Sequence, residues 1–165
     1  MTEVIAALIQ ALPATIVGFL GYIITKQSLE NSWRQTLDSI GREFWSNPDI
    51  KRIRCAVSYP KAYVELQFVL KKRNQLDSEK KKTINKGTEL DQAEYELLDD
   101  LDRFLTLLES AALSSPILRD KATVWNALYF DYWLQKCMEK PEMRWYVENY
   151  FPRLSMFYFK QTKGK

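Results

Sequence analysis

The chain has 165 residues, 46% of them apolar and 27% charged, an ordinary globular composition for about one domain. Its 24 Lys and Arg against 21 Asp and Glu leave a formal +3, far short of the basic excess that makes nucleic-acid binding the default reading. There is no histidine, so the most common acid/base group at neutral pH and the most common imidazole metal ligand are both missing.

The two cysteines, Cys55 and Cys137, are too few for a structural zinc site or a disulfide scaffold and point to a reducing compartment. The sequence contains no nucleophile elbow, Walker loop or dinucleotide fingerprint. No catalytic residue, metal or cofactor is therefore expected, and the chain reads as a non-enzyme.

In chain order, the first element is Val4 to Thr25, twenty-two residues without a formal charge. As a helix it would extend about 33 Å, enough to cross a hydrocarbon layer of about 30 Å. A cleaved signal fits less well, because Met1, Thr2 and Glu3 precede the run and Lys26 follows it. Glu3 is the single charged side chain before the run, while Lys26, Arg34, Lys51, Arg52 and Arg54 come after it, an asymmetry that places the remainder in the cytoplasm. The expected division is a transmembrane helix over 1–27 and a cytoplasmic helical domain over 28–165, with a basic loop at 71–88. The lipid bilayer is the first partner implied.

Within the run, Ala7, Ala11, Ala14, Gly18 and Gly21 recur at helical spacing on one stripe, with Gln10 beside them. Small residues let helices approach closely in lipid, and an amide at that depth favours a partner helix or a water-filled lumen. A homo-oligomer, with these six residues lining its contacts or a pore, is one reading. The other is that Gly and Ala align by chance in a monomeric anchor that tolerates one Gln. Pro13 is expected to kink the helix.

The periodicity continues through Leu29, Trp33, Leu37, Ile40 and Phe44, which extends the anchor helix beyond the membrane. Asn47 and Pro48 form a cap and first-turn pair opening a helix through Ile50, Ile53 and Val57. Ser58 and Pro60 repeat the device ahead of Tyr63, Leu66, Val69 and Leu70. Residues 71–86 carry seven basic and two acidic side chains and read as an exposed loop. Within them Lys71, Lys72, Arg73, Lys80, Lys81, Lys82 and Lys86 are candidate phosphate contacts, against the plainer reading of a solvated loop.

Glu89 to Glu109 carries eight carboxylates and one Arg around Leu90, Ala93, Leu97, Leu101, Phe104, Leu105 and Leu108, the pattern of an amphipathic helix with an acidic outer face. Asp99, Asp100 and Asp102 read as solvated neighbours on it, and Arg119 with Asp120 as a capping pair. Twelve of the 22 aromatics fall between Trp125 and Phe159. Trp125, Tyr129 and Trp133, with Phe130, suggest a core stripe rather than a base-stacking platform. Pro141 and Pro152 open the last two helices. The fold class is all-α: a transmembrane helix continuing into a bundle of about five or six helices.

The segment LDDLDRFLTLLESAALSSPILRDKATVWNALYFDYW, residues 98–133, with the terminal ENYFPRLSMFYFK, resembles a group of small bacterial helical proteins with an N-terminal membrane helix. Among them it is similar to the membrane accessory proteins of type VI-B CRISPR systems, whose helical domain is related to the HEPN fold. The resemblance implies a ring of subunits forming a pore in the bacterial inner membrane, in support of an RNA-guided nuclease during phage infection. RNA or that nuclease is the partner class it implies.

HEPN nucleases share an Arg followed after four to six residues by His, and the matching positions here are Arg153 and Tyr158. A phenol, with an ordinary pKa of about 10, is poorly suited to base catalysis near neutral pH, so this is a degenerate form of the motif. The alternatives are a membrane-tethered RNA-binding or RNA-cleaving module, or a non-catalytic tether for a partner protein.

Overall fold

A computed structural model describes residues 2–80, 89–114 and 130–162; the side chains of 2–18, Trp33, 79–80, Ser114 and 161–162 lie outside the described set. All regular structure among the described residues is helical: α1 Thr2–Ser46, α2 Pro48–Ser58, α3 Pro60–Lys80, α4 Gln92–Ser114, α5 Phe130–Met138, α6 Pro141–Tyr150 and α7 Pro152–Thr162. The chain divides into two compact units, residues 1–36 and residues 37–165.

The helix boundaries follow local chemistry. Asn47 takes an extended conformation and its Oδ1 accepts hydrogen bonds from the backbone N–H groups of Asp49 (2.9 Å) and Ile50 (3.4 Å). This satisfies donors that the first turn of α2 cannot, while Pro48 lacks the N–H that would be orphaned there. At α4, Asp91 Oδ1 accepts from the Glu94 N–H and Glu94 Oε2 accepts from the Asp91 N–H, a reciprocal capping box. Pro60, Pro141 and Pro152 occupy the first positions of α3, α6 and α7. Ser58, expected to cap α3, is instead the last residue of α2, and Tyr59 O accepts from the Ala62 and Tyr63 N–H groups.

The second unit is built around α2, which packs against α3, α4 and α5; α6 packs against α3, α5 and α7, and α4 against α7. Phe44, on the last turns of α1, sits at the centre of an aromatic nest. Its ring lies 4.8 Å from Phe130, 5.5 Å from Phe104 and 6.0 Å from Trp133, centroid to centroid. The Phe130 and Trp133 contacts are edge-on, the arrangement the ring quadrupoles favour. Ile50, Ile53, Leu66, Leu70, Leu101, Leu105 and Leu108 complete a fully buried aliphatic layer. The Arg54 guanidinium caps the nest, 4.4 Å from the Trp45 ring and hydrogen-bonded to Trp45 O at 3.2 Å.

Two sequence expectations change. The stretch 71–80 is the continuation of α3, not part of a loop. Its charge density concealed a helix because its Lys, Arg, Gln and Leu are good helix formers and Leu76 packs against the core. Ala93, expected on the buried face of α4, is exposed, whereas Leu97, Leu101, Phe104, Leu105 and Leu108 are buried as the spacing requires. Residues 81–88, Arg119, Asp120, Trp125 and Tyr129 lie outside the described residues.

Candidate functional site

α1 is a 45-residue helix, about 67 Å long at 1.5 Å per residue. Among the described residues no helix is long and apolar enough to cross a membrane. The uncharged run 4–25 falls mainly on positions whose side chains lie outside the described set, and so do Ala7, Gln10, Ala11, Ala14 and Gly18. The described end of the run is informative. Phe19, Leu20, Tyr22 and Ile24 are 63%, 51%, 64% and 65% exposed, four large apolar side chains that the chain leaves uncovered. A Cβ built on Gly21 meets nothing within 4 Å. Thr25 turns its hydroxyl back onto Gly21 O at 2.8 Å, which hides the polar group against its own helix.

The basic candidates on α3 are engaged internally. Lys71 Nζ lies 3.4 Å from Glu142, Lys72 Nζ 2.5 Å from Glu94, and Arg73 donates from Nε to the Tyr150 hydroxyl at 3.0 Å while pairing with Asp77 at 3.6 Å. Lys80 lies outside the described side chains; Lys81, Lys82 and Lys86 lie outside the described residues. The described cations of this set tie α3 to α4 and α6 rather than presenting a row of charges to phosphate.

A second tie joins α4 to α6. The Tyr146 hydroxyl donates to Asp102 Oδ1 at 2.8 Å, and the Tyr146 and Tyr150 rings lie 4.5 Å apart. Asp102 is therefore a half-buried hydrogen-bond acceptor, not the solvated carboxylate its sequence neighbours suggested, and burial raises its pKa despite that hydrogen bond. Asp100 is also drawn in, 3.7 Å from Arg52, its pKa raised by burial and then by Asp49. Burial pushes Tyr63, Tyr146 and Tyr150 above the ordinary phenol value, so each is a poorer base at neutral pH than free tyrosine. The Cys137 thiol, fully buried, is pushed up to about 12 and is unreactive there.

Glu142 anchors the third tie. It accepts from Gln67 Nε2 at 2.9 Å and from the Tyr63 hydroxyl at 3.4 Å. Burial alone would raise its pKa; the hydrogen bonds from Gln67 and Lys71 overcome that and leave it below the usual 4.5. A carboxyl depressed on folding contributes stability above its unfolded pKa and loses it as the pH falls through the folded value. Glu142→Gln is therefore expected to lower the urea midpoint at neutral pH and to leave it nearly unchanged at about pH 2, where both side chains are uncharged. An equal loss at both pH values would contradict this assignment.

The degenerate HEPN-like pair, Arg153 and Tyr158, lies within α7. Arg153 is exposed and Tyr158 half-buried on α7. Five residues at 100° each set the two about 140° apart around the helix. Sequence reasoning missed the Tyr146–Asp102 and Glu142 ties, whose partners lie 44 and 75 residues apart. No protein-family model matches the chain, and no curated protein or solved structure matches it either.

Proposed function

We propose that this chain is a membrane-anchored, self-associating helical protein that forms or gates an opening in the bacterial inner membrane, with the 37–165 unit on the cytoplasmic side. The observation that carries the reading is the uncovered apolar surface at Phe19, Leu20, Tyr22 and Ile24, on the same unbroken helix whose later residues Leu37, Ile40 and Phe44 are buried in a packed core. Four such side chains in water would forfeit several kcal/mol of burial (about 1.5–3 each) that acyl tails or a neighbouring copy would restore. The charge asymmetry around residues 4–25 supports the orientation. The resemblance stated above supports the further role, assistance to RNA-guided antiphage defence.

Self-association is tested at Gly18 and Gly21. Because the space around Gly21 is open within one chain, a larger side chain there should leave a single copy undisturbed and report only on a neighbour. Gly18→Leu with Gly21→Leu is expected to reduce the detergent-solubilised particle to one copy and to abolish collapse of the membrane potential on overexpression. Retention of both the assembly and the potential collapse would reject the small-residue stripe as the contact.

A further inference from the structure

The exposed face of α7 is apolar and basic at once. With 100° per residue, Arg153, Met156, Phe159 and Lys160 fall within about 120° of one another. All four are exposed, Met156 at 57% and Phe159 at 40%, while Leu154 on the opposite side of the helix is buried. Among the described residues neither Arg153 nor Lys160 is in an ion pair. From Pro152 to the end the sequence has four cations, Arg153, Lys160, Lys163 and Lys165, and no acid. A further exposed apolar pair, Val64 and Phe68 on α3, is flanked by Lys61 and by Glu65, which pairs with Arg52, and so has no single sign.

An apolar pair bordered by cations, on a helix with no carboxylate of its own, is the composition of a helix lying in the headgroup region of an anionic bilayer. The apolar side chains enter the acyl boundary and the long basic ones reach the phosphates. We infer that the outer face of α7 docks on an anionic membrane surface, with Met156 and Phe159 inserted and Arg153 and Lys160 on the headgroups. The inference rests on the anchoring reading in one respect: a chain already tethered by α1 meets the surface at high effective concentration, so a small contact suffices. Each cation should contribute about fivefold to the docked-to-undocked ratio at a phosphatidylserine-like charge density.

The test uses the full chain carrying Cys55→Ser and Met156→Cys, labelled at the introduced thiol with an environment-sensitive dye and mixed with vesicles of phosphatidylcholine alone or with phosphatidylglycerol. The expected result is a blue-shifted emission quenched by brominated lipid in the anionic vesicles. Both signals should fall, reflecting a docked-to-undocked ratio lower by more than about twenty-five-fold, when Arg153 and Lys160 become Glu. Identical emission in both vesicle types, unchanged by the charge reversal, overturns the inference. A shift produced by single-stranded RNA and not by anionic lipid also overturns it and assigns the face to nucleic acid.

Flotation of the same samples separates the two readings. A chain that floats with both vesicle types while the dye stays in water retains the anchor and loses the docking. A chain that floats only with anionic vesicles, and only with Arg153 and Lys160 intact, retains the docking and loses the anchor.

Discussion

Replacing Phe44 by Ala is expected to destabilise the 37–165 unit by about 3–5 kcal/mol, lowering Tm by roughly 10–20 °C. Phe44 has no exposed surface and meets rings from two other helices, Phe104 of α4 and Phe130 and Trp133 of α5, in addition to its neighbour Trp45. Truncation removes the transfer energy of a benzyl group and leaves a cavity whose walls are themselves aromatic and unable to collapse freely. The effect is read by thermal melting of the detergent-solubilised chain. Phe44→Leu keeps most of the volume and should recover more than half of the loss. A Phe44→Ala change of less than about 1 kcal/mol would mean the nest is not the centre of the core.

The second large effect concerns location. Ala14→Arg together with Gly18→Arg places two guanidinium groups near the middle of the uncharged run, each opposing insertion by about 2.5–3.5 kcal/mol. The combined change is expected to move the chain from the membrane fraction into the soluble or aggregated fraction and to abolish any effect on membrane potential. Because both positions precede Leu37, where the second compact unit starts, the helical content and melting of that unit should be preserved. Quantitative immunoblotting of fractions and circular dichroism of the released chain check the two halves of this expectation. A variant that remains membrane-bound would contradict the assignment of 4–25 as the anchor.

What could be read from the chain in advance was local. Asn47 with Pro48, and the prolines at 60, 141 and 152, mark helix starts because their constraint acts within a few residues. The acidic helix is legible because its apolar residues keep a period near 3.6 beyond Ala93, and Leu97, Leu101, Phe104, Leu105 and Leu108 are buried accordingly. The continuation of α3 to Lys80 is hidden because dense charge resembles a solvated loop, whereas Lys71 and Lys72 have partners on other helices, Glu142 and Glu94.

The ties through Asp102 and Glu142 were hidden for a related reason. Their donors, Tyr146 and Gln67, are brought near only by the tertiary fold. Of the aromatic stripe, Phe130 and Trp133 are buried as its helical spacing suggests; the part played by Phe44, far away in sequence, is not legible in that spacing.

The central claim is that residues 4–25 sit among lipid chains while the remainder is held beside the membrane. Alkaline carbonate extraction of cell membranes carrying the intact chain tests it most directly, since that treatment strips proteins held only by surface charge and leaves those inserted in the hydrocarbon. Recovery in the pellet, with release only by detergent, is the result expected. Recovery in the carbonate supernatant without detergent would contradict the account.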